Sequence, residues 1–156
     1  MRGLCSKHDG FTLVEIMVVL SMGAILTALG VSTLQGVLLR QQKSAAALEI
    51  QALLNQARSM ARSTAVPATV TLTPVAAAPG GSISATIGAP VNWSRTLRFG
   101  PGTDYTAVGL VGVAIGPFTF AARGTVLPGG FILSVQDSKG QAATVSVGVL
   151  GDITIT

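Results

Sequence analysis

The 156-residue sequence contains very little cysteine, histidine and charge. Its single cysteine, Cys5, and its single histidine, His8, both lie within the first ten residues. One thiol cannot form an intramolecular disulfide, and a structural zinc site needs about four Cys or His ligands. From Phe11 onwards the chain also lacks the residues for nucleophile–histidine catalysis, although a carboxylate pair stays formally open. We therefore predict a protein that is not an enzyme and that uses no metal or cofactor.

The composition is apolar and poor in charge. Charged residues make up 10% of the chain and aromatic residues 4%, whereas apolar residues make up 49%. This balance, with a mean hydropathy of +0.63, is typical neither of disorder nor of the surface of a soluble enzyme. The formal net charge of +4 is spread thinly, without the basic run that marks a nucleic-acid-binding arm. The composition indicates a membrane segment or extensive burial against partners.

A run of 24 residues without a formal charge extends from Ile16 to Leu39. As a helix this run is about 36 Å long, enough to cross a hydrocarbon core of roughly 30 Å. We predict that residues 14–39 span a membrane as a signal anchor or single transmembrane helix. Basic residues flank both ends of the run, so the positive-inside rule does not decide its orientation. They are Arg2, Lys7, Arg40 and Lys43.

The helical pattern continues beyond the apolar run. Between Ser44 and Arg62, apolar residues recur every three or four positions, and polar residues recur with the same spacing on another face. The absence of Pro and Gly between Val37 and Pro67 favours one helix over residues 11–63. The rest of the chain should cover its apolar stripe. The stripe comprises Ala46, Ile50, Leu53, Ala57 and Met60, and the polar face comprises Gln51, Asn55, Arg58 and Arg62.

From residue 64 to residue 156 the pattern is that of an antiparallel β domain. Short segments rich in Val, Ile, Thr and aromatic residues alternate with Gly and Pro, which favours hairpins over βαβ units. The predicted fold class is α+β, with a long N-terminal helix, transmembrane and then amphipathic, packed on a C-terminal antiparallel sheet or sandwich. Residues 137–140 are predicted as a turn, because calcium needs six to eight oxygen ligands. The predicted strands are 66–73, 82–87, 93–99, 108–115, 118–122, 131–136, 144–149 and 152–156.

The most specific motif precedes the apolar helix. The sequence Gly10-Phe11-Thr12-Leu13-Val14-Glu15 resembles the class III signal of type IV pilins and of the pseudopilins of type II secretion systems. The resemblance implies that residues 1–10 are a leader, that a prepilin peptidase cleaves after Gly10, and that Phe11 becomes the N-methylated N-terminus. It implies that Glu15 is the acid used in filament assembly. The implied partners are the prepilin peptidase, the inner membrane, and other pilins or pseudopilins packed through the N-terminal helix.

The chemistry of Glu15 supports a role in assembly independently. An acid inside a membrane costs about 2.5–3.5 kcal/mol on insertion scales. After cleavage, the free amine of Phe11 also needs a partner. The carboxylate can pair with the amine of its own chain or with that of a neighbouring subunit, and only the second pairing positions an incoming subunit. The alternative is that Glu15 lies among the lipid headgroups and is solvated.

The β domain resembles more narrowly the GspH/FimT group, which comprises the minor pseudopilin H of type II secretion and the FimT-type minor pilins. This resemblance implies a minor pseudopilin of a type II secretion system, a structural component of protein secretion. The protein would pass once through the bacterial inner membrane and hold its β domain in the periplasm. The alternative is a FimT-like minor pilin in pilus biogenesis or DNA uptake. The matching segments are Phe118-Thr119-Phe120, Arg123-Gly124, residues 130–134, and Val145-Ser146-Val147 leading to Gly151.

DNA binding requires clustered cations. Candidate residues are Arg95, Arg98, Arg123 and Lys139. Because Arg95 and Arg98 are three positions apart in a predicted strand, their side chains should point to opposite faces. In the GspH/FimT group that the β domain resembles, an arginine often follows the glycine before the last strand, whereas this sequence has Asp152 after Gly151. DNA is therefore a possible partner that the sequence does not favour.

Overall fold

The structure is a computed structural model that describes residues 11–112 and 116–156, without the side chains of residues 31–33. The predicted leader, with Gly10, and the end of the predicted strand 108–115 fall outside these residues. The chain divides into two compact units, the first ending at Val37 and the second extending from Leu38 to Thr156.

Helix α1 (Leu13–Thr64) is continuous over 52 residues, as the apolar and amphipathic patterns predict. Thr12 caps its first turn, because the Thr12 Oγ1 accepts a hydrogen bond from the backbone N–H of Glu15 at 3.2 Å. The helix ends where Ala65 adopts a left-handed conformation with φ of 57°, two residues before Pro67.

In the first unit, the described apolar side chains of α1 are exposed. Leu13 is 76% exposed and Leu26 is 70% exposed. By length and composition, α1 contains a segment that can cross a membrane. A helix that is apolar on all sides and uncovered by its own chain needs an apolar environment, which lipid or neighbouring helices can supply.

The second unit contains two antiparallel sheets. Its described strands are β1 (Ala68–Thr73), β2 (Ser82–Ile87), β3 (Trp93–Arg98), β4 (Val108–Val111), β5 (Phe118–Phe120), β6 (Val126–Leu127), β7 (Phe131–Asp137), β8 (Ala142–Val147) and β9 (Ile153–Ile155). The first sheet has the order β3-β2-β1-β5-β6, and the second has the order β4-β7-β8-β9. The predicted α+β class, a long helix followed by antiparallel sheets, is confirmed. The two-residue strand β6 is too short to leave a sequence pattern and was not predicted.

The second half of α1 and both sheets share one hydrophobic core. The aromatic rings of Phe118 in β5 and Phe131 in β7 stack with centroids 3.8 Å apart, which joins the first sheet to the second. The predicted apolar stripe of α1 faces this core. Its members Ala46, Ile50, Leu53 and Ala57 are fully buried, Met60 is partly buried, and Ala47, Leu54 and Ala61 widen the buried face.

The polar face of α1 reaches the last strand. The Gln51 Nε2 donates a hydrogen bond to the backbone oxygen of Ile153 at 3.1 Å. Strand β9 pairs with β8 in the register Val147 opposite Ile153 and Val145 opposite Ile155. The helix therefore holds the end of the chain by a polar contact as well as by core packing.

Candidate functional site

The described motif residues, Phe11 to Glu15, lead into the first turn of α1. Phe11 precedes the helix and is 78% exposed. Thr12 and Glu15 have the spacing of a capping box, in which the hydroxyl accepts a bond from the N–H of the acid. The sequence reasoning missed the capping role of Thr12, although the Thr-x-x-Glu spacing could have revealed it.

The position of Glu15 in the first helical turn has electrostatic consequences. A carboxylate there is stabilised by the positive end of the helix dipole. Among the described residues, the Glu15 side chain has no hydrogen-bond or ion-pair partner. It lies four positions after Phe11, so pairing with the amine of its own chain and pairing with that of another chain are both open to it.

A second cluster of charged and polar side chains joins α1 to the first sheet. The Arg95 Nη2 lies 3.2 Å from the Glu49 Oε1, and the Arg95 Nη1 donates to the Gln56 Oε1 at 2.9 Å. The Tyr105 hydroxyl donates to the Glu49 Oε2. Glu49 therefore binds a strand and a loop at once, and the Arg95 guanidinium is occupied by its own domain.

This environment raises the pKa of Tyr105. Burial raises the pKa of Tyr105 to about 12, and the hydrogen bond to Glu49 and the charges of Glu49 and Asp104 act in the same direction. The phenol is therefore a hydrogen-bond donor at all physiological pH values. Its ring packs at 5.7 Å from that of Phe99, which secures the loop between β3 and β4.

The four cations predicted for DNA binding occupy different settings. Arg95 faces α1, whereas Arg98 is exposed three positions later on the same strand. Arg123 lies in the turn between β5 and β6, and Lys139 in the turn between β7 and β8. In the part of the chain that the structure describes, Arg98, Arg123 and Lys139 have no ion-pair partner.

Arg58 has a role that the sequence reasoning missed. Its Nε donates to the backbone oxygen of Gly124 at 3.2 Å, and its Nη2 donates to the backbone oxygen of Leu150 at 2.6 Å. A Cβ on Gly151 would lie 2.3 Å from the Gly124 oxygen and 2.7 Å from the Arg58 Nε. The glycine there is required by this close approach. Arg58 lies on the predicted polar face of α1, but no local sequence pattern predicts its backbone partners, which are distant in sequence.

Asp137 is a structural acid. It is 2% exposed, and its Oδ1 accepts hydrogen bonds from the backbone N–H groups of Lys139 and Gln141, both at 2.9 Å. This arrangement stabilises the turn predicted over residues 137–140. The described residues contain no group of three or more His, Cys, Asp or Glu side chains that could hold a metal ion.

Comparisons with known proteins find a known motif in the N-terminal residues and a known fold for most of the chain. The prokaryotic N-terminal methylation motif matches residues 5–31. Two crystal forms of the type IV minor pilin FimU from Pseudomonas aeruginosa share the fold. The P21 form is 23% identical, with a TM-score of 0.55 over 75% of this chain and 90% of FimU. The P65 form is 22% identical, with a TM-score of 0.52 over 72% and 91%. No curated protein matches the sequence.

Proposed function

We propose that the chain, which carries a prepilin-type N-terminal methylation motif and has the fold of a minor pilin, is a minor structural subunit of a pilin-like filament. The observation that carries the proposal is the coincidence of three features. The motif runs into α1, the helix is apolar and uncovered in the first unit, and the second unit has the fold of a minor pilin.

The proposed life cycle begins at the inner membrane. The peptidase cuts between Gly10 and Phe11 and methylates Phe11, while the apolar half of α1 holds the subunit as a single-pass protein with the β domain in the periplasm. The subunit then leaves the lipid sideways and packs its helix among those of its neighbours. Glu15 meets the Phe11 amine of an adjacent subunit, because a buried charge is tolerated when it is paired.

Within this class, we favour the type II secretion pseudopilus. The segments around Phe118, Gly130 and Val145 resemble the GspH/FimT group, which contains both pseudopilins and minor pilins, and the gene deletion described below separates the two systems. The likeness to FimU, at 22–23% identity, concerns the fold alone and favours neither system. In either system the work of the subunit is assembly and recognition of neighbours, not catalysis.

A DNA receptor on a pilus is the alternative of a different class. Among the four candidate cations, Arg95 is engaged by Glu49 and Gln56. A phosphate would have to compete with a carboxylate and an amide for this guanidinium. DNA binding therefore remains a prediction without a geometric argument in its favour.

Replacing Glu15 tests the function. We expect Glu15→Gln to insert into the membrane normally but to be recovered in sheared filaments at about a tenth of the wild-type level or less, because a neutral amide cannot pair with the incoming amine. Asp104→Asn is the matched control, since this exposed acid lies in the β domain. Normal incorporation of Glu15→Gln would contradict the proposal.

Deleting the gene distinguishes the two systems. Loss of secreted enzymes from the medium, with pilus-dependent motility intact, identifies the pseudopilus. The reverse pattern identifies the type IV pilus.

A further inference from the structure

The second unit carries more positive charge than its own acids neutralise. Residues 38–156 contain eight Lys or Arg and four Asp or Glu. Two of those acids are already used within the domain, since Glu49 binds Arg95 and Tyr105, and buried Asp137 binds its own turn. The surplus of cations at the surface calls for an acidic partner rather than a second copy of this domain.

Two of these cations, Arg58 and Arg62, line an open groove on α1. The groove has a volume of about 450 Å³ and is lined by Asn55, Arg58, Ser59, Arg62 and Ser63. Arg58 and Arg62 are four residues apart and share one face of the helix. The two carbonyl oxygens that accept bonds from Arg58 leave its formal charge uncompensated, and the exposed Arg62 has no hydrogen-bond or ion-pair partner within the described ranges.

A third arginine lies beside this groove. The turn between β5 and β6 is pressed onto the helix at Gly124, where a Cβ would lie 2.8 Å from the Arg62 Cδ and 3.2 Å from the Arg58 Nε. Arg123, the preceding residue, is exposed. The turn thus brings the backbone of Gly124, the residue next to Arg123, against the side chains of the other two arginines.

Exposed apolar side chains border the same place. Leu150, whose carbonyl binds Arg58, is 73% exposed, and its neighbour Val149 is 58% exposed. The backbone oxygen of Val149 accepts a hydrogen bond from the N–H of Val126, which is followed by Leu127, 55% exposed. Arginines next to exposed aliphatic side chains are typical of a protein interface. A nucleic-acid site would instead combine its cations with aromatic side chains on which bases stack.

We infer that this surface, defined by the α1 groove at Arg62, the turn at Arg123 and the side chains of Leu127, Val149 and Leu150, docks an acidic and partly aliphatic segment of another protein. Carboxylates of the segment bind Arg62 and Arg123, and its aliphatic side chains cover the exposed leucines. If the proposed function holds, this partner is a different subunit of the same filament, and the surface selects which minor subunit lies beside this one.

A peptide titration tests the inference on the full chain in detergent micelles. The probes are a fluorescent peptide of alternating Glu and Leu, the same peptide with Gln in place of Glu, and a single-stranded oligonucleotide. We expect the Glu/Leu peptide to bind best, and Arg62→Gln combined with Arg123→Gln to weaken it about tenfold or more. Arg58 is left unchanged because its hydrogen bonds support the fold.

Matched variants distinguish docking at this surface from non-specific electrostatic and hydrophobic binding. Arg98→Gln removes another exposed arginine, on β3, and should leave binding unchanged. Leu127→Ser with Leu150→Ser should weaken binding, whereas Ile132→Ser, at a residue 67% exposed elsewhere on the domain, should not. Arg62→Glu should weaken binding of the Glu/Leu peptide more than Arg62→Gln does, because the new carboxylate repels those of the peptide and can pair with Arg58 one helical turn away.

Three results would overturn the inference. They are no binding of the Glu/Leu peptide, equal losses in the Arg98→Gln control, or tighter binding of the oligonucleotide through the same two arginines. Circular dichroism and thermal unfolding check that each variant is folded. Peptide binding needs neither processing nor filament incorporation, so its failure can be told apart from a failure of the Glu15 experiment.

Discussion

The Tyr105 hydroxyl donates a hydrogen bond to the carboxylate of Glu49, which ties the loop before β4 to helix α1 across 56 positions of sequence. The other oxygen of this carboxylate binds Arg95. We expect Tyr105→Phe to reduce the free energy of unfolding by about 1 kcal/mol, since a half-exposed bond to a charged group contributes less than a buried one. Urea unfolding of the second unit, followed by Trp93 fluorescence in the full chain, measures this. A variant as stable as the wild type would show that the bond contributes nothing.

Burial of Tyr105, together with this hydrogen bond, gives the protein an alkaline transition. Because the pKa of Tyr105 is raised from 10 to about 12, the folded state favours the protonated phenol. This contribution to stability is fully present below pH 10 and is lost as the pH rises through about 12. Tyr105 is the single tyrosine, so the ultraviolet absorbance of tyrosinate reports it alone. Glu49→Gln should move the titration midpoint towards 10, and a wild-type midpoint of 10 in the folded protein would contradict the prediction.

Gly151 and Gly140 form a matched pair for testing the contact at Arg58. Both are left-handed, with φ of 80° and 78°, but a Cβ at Gly151 meets the backbone oxygen of Gly124, whereas one at Gly140 meets nothing within 4 Å. Gly140→Ala should cost about 1–2 kcal/mol through its backbone conformation. Gly151→Ala should cost about 3 kcal/mol or more, because the clash adds to that strain. Equal costs in thermal unfolding would refute the close packing.

Ile50 and Ile132 test where the core lies. Ile50 on α1 is fully buried, and Ile132 on β7 is 67% exposed. Ile50→Ala should destabilise the protein by about 2–5 kcal/mol, because it removes buried methyl groups and leaves a cavity. Ile132→Ala should change stability by less than about 0.5 kcal/mol. Chemical unfolding curves of both variants decide this, and a smaller loss at Ile50 than at Ile132 would place the helix outside the core.

A further prediction concerns the processing of the N-terminus. Mass spectrometry of the protein from cells that possess the peptidase should find a chain starting at methylated Phe11. The same protein from cells without the peptidase should retain Met1. An intact Met1 in both strains would refute the assignment of the leader.

The periodic features of the sequence predicted the architecture well. Helix α1 and strand β2 (Ser82–Ile87) follow from patterns that extend over at least six residues. The division of the strands into two sheets does not follow from such patterns. It depends on pairings such as that of β1 with β5, which are about fifty residues apart.

The candidate site could likewise be predicted from the sequence only in part. The processing motif is local, so the sequence contains all of it. The partners of Arg58 and Glu49 are distant in sequence, and neither a bond to the backbone oxygen of Leu150 nor a shared carboxylate leaves a periodic signal.

The contact between Gln51 and Ile153 affects how molecules of this protein meet one another. Strand β9 is the outer strand of its sheet, and an open edge of this kind recruits strands from other chains into uncontrolled aggregates. Because the Gln51 amide already binds the outward-facing oxygen of Ile153, an incoming strand would have to displace this amide before it could extend the sheet. At the β9 edge, this contact thereby discourages growth by strand addition.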